Sequence, residues 1–316
     1  MHVSLVLTVL NEAEHIRRLF DSILIQTRMP DEVVVCDAGS SDQTLSILYE
    51  YSTKISLRTL VSPGTNISAG RNIAISAAES NIIAVTDSGV RLDPNWLAQL
   101  VEQLEKEEVK LAAGFYVADP ETVFETAMGA TVLPALGEID AAKFLPSSRS
   151  VAFWKTVWEE VGGYPEWLNY SEDVVFDLRV REKFGPFAFT PQATVYFRPR
   201  GSLGVFAQQY YNYAMGDGRA GLFPHIHFIR YFSYLVVLPL LILASVVVSR
   251  WMWILAMLAG ISYTRLPLMR LLGLWGDLSF RERAKALLLL PVIRVVGDCA
   301  KMVGYPVGVW DKWMVR

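Results

Sequence analysis

Short apolar runs alternate with amphipathic stretches in the N-terminal part of the chain. The apolar runs predict strands at Val3–Leu10, Glu32–Asp37, Ile55–Val61 and Ile82–Asp87. The stretches between them repeat apolar residues with a helical period and predict helices at Glu12–Ile25, Ser41–Tyr51 and Ile67–Ala78. Strands that alternate with helices are typical of βαβ units around a mostly parallel sheet. Asp93 followed by Pro94 predicts the start of a further helix.

The pattern changes near residue 225, where long apolar runs begin. Tyr231–Ser249 has 19 residues and no formal charge, which is about the length that crosses a bilayer. A second run can cross over residues 251–272, and a third favours a helix in the membrane interface near residues 285–300. We therefore expect a soluble domain over residues 1–225 and a membrane-anchoring helical region over 226–316. The alternative is that these runs are buried helices of a soluble domain.

Charged residues indicate how such an anchor would be oriented. The basic residues around the apolar runs are Arg219, Arg230, Arg265, Arg270, Arg281, Arg283 and Lys285. Because basic flanks stay on the cytoplasmic side, we expect a helical hairpin in the cytoplasmic membrane with both ends and the large domain in the cytoplasm. The apolar N-terminus lacks the basic start of a signal peptide, which agrees with that location. The net charge of −3 argues against nucleic acid as a partner.

Acidic residues stand at or near the carboxyl ends of predicted strands, where open α/β sheets bind their ligands. These positions are Asn11-Glu12, Asp37, Asp87 and Glu172-Asp173. One such acid is usually a helix cap, but several that converge repel one another. A divalent cation that bridges a diphosphate would offset this repulsion.

Two stretches of the sequence resemble the opening of a known family. Thr8–Glu14 reads Thr-Val-Leu-Asn-Glu-Ala-Glu, and Val34–Thr44 reads Val-Val-Cys-Asp-Ala-Gly-Ser-Ser-Asp-Gln-Thr. The motifs that follow in order are Gly70-Arg71-Asn72, Asp87, Gly162-Gly163-Tyr164 and Glu172-Asp173. Over roughly residues 3–220 the chain resembles the family 2 glycosyltransferases. The resemblance implies a Rossmann-like α/β catalytic domain of the GT-A fold with a mostly parallel sheet, followed by a helical membrane domain.

The resemblance also implies a role for each motif residue. The contacts to the nucleoside would be Glu12, Asp37 and Asp42. The residues that shape the pocket floor and help to position the diphosphate would be Gly70, Arg71 and Asn72. Asp87 would bind Mg²⁺ or Mn²⁺ on that diphosphate. Asp173 would be the general base of an inverting displacement, and Glu172 beside it would raise the pKa of one of the two carboxyls.

The chain departs from the family pattern at two motifs. The metal motif Asp-X-Asp reads Asp87-Ser88-Gly89, so we expect weaker metal binding or a further ligand. The candidates for that ligand are His225 and His227, and a histidine pair at the membrane interface is the alternative. Processive members carry Gln-X-X-Arg-Trp, whereas Gln208–Tyr213 reads Gln-Gln-Tyr-Tyr-Asn-Tyr. We therefore expect the transfer of single sugars.

Two arginines late in the catalytic domain are further candidates for the site. Arg198 and Arg219 could bind phosphates of the donor or of a lipid acceptor, because a guanidinium binds phosphate through two parallel hydrogen bonds. The alternative is that both face anionic lipid as solvated charges.

These features together predict an inverting, non-processive glycosyltransferase. It would use a nucleotide-diphosphate sugar, a UDP-sugar rather than a GDP-sugar, and a lipid or lipid-linked saccharide at the membrane as acceptor. One alternative is a membrane scaffold or binding protein with a degenerate transferase-like domain, which Gly89 motivates. A nucleotidyltransferase is less compatible with the sequence, because Asn11-Glu12 stands where that class needs a glycine-rich loop.

Overall fold

The computed structural model describes residues 1–106 and 108–314, and the chain divides into two compact units. The first unit comprises Met1–Asp119 and Leu136–Arg198, and the second comprises Pro120–Ala135 and Pro199–Arg316. The predicted boundary near residue 225 rests on composition, whereas these units follow the contacts within the chain. The assignment of residues 1–225 to a transferase domain and 226–316 to a membrane region stays a prediction.

The first unit is built around one mixed sheet. Within the described residues its strands are β1 (Val3–Val9), β2 (Glu32–Asp37), β3 (Leu57–Val61), β4 (Ile82–Val85), β5 (Val90–Leu92), β6 (Leu111–Ala118), β7 (Val151–Trp154) and β8 (Ala188–Phe197). Their order across the sheet is β3-β2-β1-β4-β7-β6-β8-β5. The four strands from β3 to β4 are parallel neighbours. β7 runs antiparallel to both β4 and β6, so the sheet becomes mixed beyond β4.

The helices follow the strands in the predicted alternation. In the described residues they are α1 (Ile16–Leu24), α2 (Thr44–Ser52), α3 (Ile67–Ala77), α4 (Trp96–Leu104), α5 (Val123–Val132), α6 (Lys155–Glu160), α7 (Glu172–Phe184), α8 (Leu203–Ala220), α9 (Pro224–Phe232), α10 (Leu238–Val247), α11 (Met252–Gly273) and α12 (Phe280–Met314). The predicted strands and helices of the N-terminal part are confirmed, with ends shifted by a few residues.

One predicted helix is present but starts slightly later than expected. The helix expected at Asp93-Pro94 begins at Trp96, and Asn95 is its N-cap. The Asp93 side chain accepts a hydrogen bond from the Asn95 backbone N–H at 3.0 Å. Asp93 therefore closes a turn that precedes the helix, because an aspartate side chain readily bonds the backbone two residues further on.

Alternating residues of β1 fill two separate cores, one on each face of the sheet. Leu5 and Leu7 pack into a cluster that contains Phe20 and Trp96. Val6 packs into the other cluster, whose members are Val6, Val34, Cys36, Ala74, Ile75, Ala78, Ile83, Val85, Leu111, Ala113, Val151, Phe153, Val157, Tyr164, Phe176 and Val180. Successive side chains of a strand point to opposite faces. This explains why the strand reads as a continuous apolar run in the sequence.

Helix α3 lies unusually close to β1, and Gly70 makes this possible. A Cβ atom at position 70 would lie 2.8 Å from Thr8 Cγ2 and 3.6 Å from Cys36 Sγ. A contact of 2.8 Å between carbons is shorter than their usual separation of about 3.5–4.0 Å. The glycine thus fixes the distance between helix and sheet in the region where the functional motifs begin.

The second unit is organised around α12, which is longer than expected. The sequence predicts an interfacial helix near residues 285–300, but α12 has 35 residues and continues through Pro291 and Pro306. Its buried residues are Ala286, Leu290, Ile293, Gly297, Gly304 and Gly308. Backbone atoms of α8 occupy the space that a Cβ would need at Gly304 and Gly308. The close contact with α8 along this face explains why the helix extends beyond its apolar run.

Two helices within residues 1–106 and 108–314 are long and apolar enough to cross a membrane. They are Pro224–Val247, with 24 residues, and Met252–Gly273, with 22 residues. The first joins α9 and α10 through a π-helical segment at Ser233–Val237. Both agree with the predicted spans at 231–249 and 251–272 to within a few residues at most ends. Large apolar side chains point outward from them, and Val246, for example, is 72 % exposed.

Gly70→Ala is expected to destabilise the protein through the contact with Thr8. Overpacking a buried site costs about 1–3 kcal/mol, and alanine recovers about 1 kcal/mol of helix propensity, so we expect the free energy of unfolding to fall by about 1 kcal/mol. Urea denaturation of the detergent-solubilised chain, followed by tryptophan fluorescence, measures this change. Thr8→Ser removes the Cγ2 atom, so Gly70→Ala should stabilise the protein in that background. An equal loss in both backgrounds would exclude the proposed contact.

Candidate active site

Three chemically important loops meet at one edge of the sheet. β1 lies between β2 and β4 and is parallel to both, so their carboxyl ends are neighbours. β2 ends at Asp37, Asn11 follows soon after β1, and Asp87 follows soon after β4. The convergence that the sequence predicts for these positions is therefore a direct result of the strand order.

The loops after β1 and β2 are tied to each other by hydrogen bonds. The Asn11 backbone N–H donates to Ser40 Oγ at 2.9 Å, and Asn11 Oδ1 accepts from the Ser41 N–H at 2.9 Å. The Glu12 N–H donates to Thr44 Oγ1 at 2.8 Å. Asn11 has a positive φ of 55°, a conformation in which asparagine is several-fold enriched. These contacts hold Glu12 beside the end of β2.

Asp42 takes part in the same link between the loops. Its Oδ1 atom accepts from the Thr44 backbone N–H at 2.9 Å, and its Oδ2 atom accepts from the Ala13 N–H at 3.0 Å. The hydrogen bond from the Thr44 hydroxyl is the main cause of a lowered pKa of Asp42. The structure thus gives Asp42 a bracing role between two loops, and its contact with a nucleoside stays a prediction.

Asp37 is fully buried, and only one of its two carboxylate oxygens has a partner. Oδ1 accepts hydrogen bonds from the backbone N–H groups of Gly39 and Ser40, each at 2.8 Å. Oδ2 is buried and has no hydrogen-bond partner among the described residues. A buried acceptor without a partner costs about 1–3 kcal/mol, so such atoms in native proteins call for an explanation. The contact of Asp37 with a nucleoside stays a prediction.

Asn72, one of the residues expected to shape the pocket floor, fastens a loop of the first unit. Its Oδ1 atom accepts from Trp158 Nε1 and from the Tyr164 N–H, both at 2.9 Å. Its Nδ2 atom donates to the Tyr164 carbonyl at 2.8 Å. Gly163 lies between these partners with a positive φ of 68°, which only glycine adopts without strain. The positioning of a diphosphate by Gly70 and Asn72 stays a prediction.

Arg71 is the central charge of the site. Its side chain is only 2 % exposed, and it forms ion pairs with Asp87 at 2.8 Å and with Glu172 at 2.6 Å. Its guanidinium also lies 5.3 Å from the centroid of the Tyr164 ring. Burial acts to lower the pKa of Arg71, but the negative charges of Asp87 and Glu172 outweigh this effect and raise it. The arginine thus joins the end of β4 to the start of α7.

Glu172 and Asp173 occupy the first turn of α7, where the helix dipole favours negative charge. Ser171, just before them, has a positive φ of 60°, which is uncommon outside glycine. Burial, followed by repulsion from Asp173, raises the pKa of Glu172 to about 7. The carboxyl of Glu172 therefore keeps its proton to a higher pH than an exposed glutamate does.

A third carboxyl group lies one helical turn beyond Asp173. Asp177 is 3 % exposed, and its Oδ2 atom has no hydrogen-bond partner among the described residues. Burial and the neighbouring Asp173 hold the pKa of Asp177 well above its ordinary value. Asp173 is more exposed than Glu172 and Asp177. Asp173 is thus the most accessible of these three carboxyl groups.

The sequence motifs do not include Arg149, which the fold brings to Asp87. β4 and β7 pair in antiparallel register with Val85 opposite Val151, and continuing this register places Asp87 opposite Arg149. Arg149 Nε lies 3.3 Å from Asp87 Oδ2. The only signal for Arg149 in the sequence is a single arginine among small polar residues, directly before an apolar run.

The residues around Asp87 do not fit a divalent cation that the protein itself holds. Arg71 pairs with one carboxylate oxygen of Asp87 and Arg149 with the other. Gly89 supplies no carboxylate at the third motif position, and the described residues include no group of three or more metal-ligating side chains. Two guanidinium groups neutralise the charge that would attract a cation.

The other predicted site residues lie apart from this network along the chain. Arg198 is exposed at the end of the first unit. Arg219 on α8 is partly buried, and His225 on α9 is exposed. His227 is buried, where its ring stacks on Tyr305 at 3.8 Å. The roles of Arg198 and Arg219 as phosphate ligands and of His225 as a metal ligand stay predictions.

Glu172→Gln is expected to change how stability depends on pH. Glu172 has an ordinary pKa of 4.5, and in the folded protein it is about 7. Between these values the folded protein keeps a proton that the unfolded chain releases, so the Glu172 contribution to the free energy of unfolding falls as pH rises. The glutamine variant should therefore gain stability relative to the wild type from pH 4.5 to 7. Thermal denaturation across this interval measures the difference.

The matched control for this experiment is Glu159→Gln, which removes an exposed carboxyl at the end of α6. Its stability relative to the wild type should stay constant over the same interval. If Glu172→Gln instead lost stability relative to the wild type as pH rises, the raised pKa of Glu172 would be contradicted.

The sequence profile of Glycosyl transferase family 2 matches residues 4–151. The match begins in β1 and ends at the first residue of β7. It therefore includes Asp37, Arg71, Asp87 and Arg149, whereas Glu172 lies beyond it.

Known relatives share part of the chain. The chondroitin synthase of Pasteurella multocida is 31 % identical over 107 residues, which cover 34 % of this chain and 11 % of the synthase. The O-antigen chain rhamnosyltransferase of Salmonella typhimurium is 22 % identical over 207 residues, which cover 62 % of this chain and 66 % of that protein. The chain thus spans only a small part of the synthase and about two thirds of the rhamnosyltransferase.

Solved structures share the fold. A mannosyltransferase from Pyrobaculum calidifontis, solved with GDP-Man and Mn²⁺, has a TM-score of 0.61 at 17 % identity and covers 98 % of this chain and 88 % of its own. TarS 1–349 from S. aureus, solved with UDP, has a TM-score of 0.52 at 18 % identity and covers 100 % of this chain and 92 % of its own. Residues 4–151 therefore form a domain of Glycosyl transferase family 2, and the fold that contains them is the GT-A fold of these solved glycosyltransferases.

Proposed function

We propose that the protein transfers one sugar at a time from a nucleotide-diphosphate sugar to a lipid-linked acceptor at the membrane, with inversion at the anomeric carbon. The observation that carries this proposal is the pair of contacts from Arg71 to Asp87 at 2.8 Å and to Glu172 at 2.6 Å. One guanidinium couples the carboxylate at the end of β4 to the acids that begin α7. A base held beside the reacting end of a donor is what direct displacement requires.

The nucleoside of the donor is proposed to bind beyond β1 and β2. Asp37 Oδ2 is buried without a partner among the described residues, and a donor group of the base or ribose would satisfy it. Glu12 and Asp42 lie on the adjoining loops and are the further proposed contacts. We propose a UDP-sugar, which the likeness to TarS supports. The likeness to a mannosyltransferase solved with GDP-Man makes a GDP-sugar the alternative to test.

Asp173 is the proposed general base. The acceptor hydroxyl gives its proton to the Asp173 carboxylate while its oxygen attacks the anomeric carbon. The bond from that carbon to the diphosphate oxygen breaks, and the electron pair leaves with the nucleoside diphosphate. Burial and the negative charge of Asp173 raise the pKa of the neighbouring Glu172 to about 7. No step of this mechanism uses the predicted Mg²⁺ or Mn²⁺, because arginines already pair with Asp87.

The membrane is proposed as the place of action because two long helices expose apolar side chains. Leu243 is 57 % and Leu255 is 52 % exposed on the helices Pro224–Val247 and Met252–Gly273. Apolar faces of this size are stable against lipid and unfavourable in water. We propose an anchor in the cytoplasmic membrane with the catalytic unit in the cytoplasm, which the basic residues Arg219, Arg281 and Arg283 outside the two ends of the hairpin support.

Two further features support the finer points of the proposal. The sequence Gln208–Tyr213 lacks the Arg-Trp of the processive motif, which favours the transfer of single sugars. The paired charges of Arg71, Asp87 and Glu172 favour an active enzyme over a degenerate scaffold, because buried charged groups with shifted pKa values cluster at functional sites.

Asp173→Asn is expected to abolish transfer while leaving donor binding intact. Loss of a general base costs about 10²- to 10⁴-fold in kcat, because the acceptor hydroxyl then keeps its proton during attack. Transfer of radiolabelled sugar from a panel of UDP-sugars and GDP-sugars measures kcat. Thermal stabilisation of the variant by the matching nucleoside diphosphate measures binding.

Glu182→Gln is the control, since it removes an exposed carboxylate from the same helix. It should transfer sugar at the wild-type rate. Full activity of Asp173→Asn would place the base elsewhere, and failure of every nucleoside diphosphate to stabilise the wild type would argue for the scaffold.

The acceptor proposal predicts a preference for lipid-linked saccharides. Purified protein in phospholipid vesicles should transfer sugar to a polyprenyl-phosphate-linked saccharide at least about tenfold faster than to the same saccharide without lipid, because confinement in the bilayer raises the local acceptor concentration. Equal rates with the two acceptors would show that the membrane helices do not serve acceptor binding.

A further inference from the structure

The guanidinium group of Arg149 is held firmly beside Asp87. Its Nε atom lies 3.3 Å from Asp87 Oδ2, and its Cζ atom lies 4.8 Å from the centroid of the Phe197 ring. The Arg149 carbonyl accepts a hydrogen bond from Thr86 Oγ1 at 2.9 Å. A side-chain ion pair, an aromatic face and a backbone contact therefore define its position. The side chain remains 23 % exposed, so a ligand can approach it.

The local charge suits an anion rather than a cation. Both carboxylate oxygens of Asp87 are already paired, one with Arg71 and the other with Arg149, so a cation there would meet a guanidinium group on each side. Arg71 is also paired with Glu172 and is nearly sealed from water, so Arg149 is the more accessible of the two cations. Guanidinium groups bind phosphate oxygens through two parallel hydrogen bonds. A divalent cation at the same place would be repelled by both arginines.

The third position of the metal motif, Gly89, has no side-chain ligand but has room for one. A Cβ atom added at Gly89 would meet no other atom within 4 Å. A second carboxylate could therefore be accommodated there without a clash. The glycine removes a metal ligand, and the sheet pairing of β4 with β7 places an arginine opposite the remaining aspartate.

We propose that Arg149 takes the place of a divalent cation in this protein. Its guanidinium neutralises the diphosphate of the bound donor and the charge that develops on the leaving nucleoside diphosphate. Asp87 positions Arg149 and Arg71 and holds no metal. Binding of the nucleoside diphosphate and sugar transfer then proceed without a metal ion. This inference rests on the proposed glycosyltransferase function. It names Arg149 as the group that binds the diphosphate of the donor.

Titration of the purified full chain with UDP and with GDP tests the proposal. The wild type should bind one of them with the same Kd in EDTA and in Mn²⁺. Arg149→Gln should weaken that binding about 10- to 100-fold, which corresponds to the loss of a charge-assisted hydrogen bond. Arg149→Lys should recover part of the loss because it restores the charge without the forked geometry.

Arg91→Gln is a matched control for the loss of an arginine from this sheet. Arg91 Cζ lies 4.1 Å from the centroid of the ring of Tyr196, the residue before Phe197. Arg91 Nη2 lies 3.3 Å from Asp119 Oδ2. It has an aromatic neighbour and an aspartate partner as Arg149 does, but it does not contact Asp87. Its replacement should leave the Kd unchanged.

The double variant Gly89→Asp with Arg149→Gln is expected to gain metal-dependent binding of the nucleoside diphosphate. It restores the second motif carboxylate and removes the competing guanidinium, so it should bind the nucleoside diphosphate in Mn²⁺ and much more weakly in EDTA. Arg149→Gln alone should stay weak under both conditions. The appearance of metal dependence in the double variant would support the exchange of roles between Arg149 and a cation.

Each remaining outcome separates the two proposals. A wild type that binds only in the presence of Mn²⁺ overturns the role of Arg149 and leaves the transferase function standing. A wild type that binds neither UDP nor GDP under either condition overturns the proposed function, and this inference with it. Equal binding by the wild type and Arg149→Gln in EDTA overturns this inference alone.

Discussion

The buried guanidinium of Arg71 is the constraint on which the arrangement of the site depends. The Arg71 side chain is only 2 % exposed. Its charge is compatible with folding because carboxylates pair with it, whereas an unpaired buried ion would cost about several kcal/mol. Asp87 and Glu172 provide the pairing from two different elements, the end of β4 and the start of α7. Moving either element would expose the Arg71 charge to water or leave it without one of its carboxylate partners. The network therefore fixes the distance between the donor end of the site and the acids of α7.

The residues of the family motifs divide into those whose contacts are all made within the protein and those that keep a buried polar atom without a partner among the described residues. Gly70 lets α3 approach β1, and Asn72 saturates its amide on the loop at Tyr164. Both residues therefore serve contacts between parts of the protein itself. Asp37 differs, since its second oxygen is buried without a partner among the described residues. Asp87 is the residue whose expected role changes most, because two arginines now account for both of its oxygens.

The helical unit follows a different physical rule from the sheet unit. In the sheet, alternating side chains fill a core on each face, and burial of apolar surface supplies the stability. In the helical unit, Gly304 and Gly308 bring the backbones of α12 and α8 into close contact, a mode of packing that is common where helices associate in lipid. The outward apolar faces of Pro224–Val247 and Met252–Gly273 accord with the same environment.

The sequence by itself determined the first four strands of the sheet and the helices between them, because apolar period and turn residues are local signals. β1, β2 and the end of β4 follow from such runs, and so does the meeting of Asn11, Asp37 and Asp87 at one edge, since parallel strands align their carboxyl ends. The full length of α12 was not predictable, because its extension depends on glycines that pack against α8. Arg149 also required the tertiary structure. Its place opposite Asp87 depends on the antiparallel pairing of β4 with β7. That pairing joins strands far apart in the chain, and no local pattern encodes a non-local strand register.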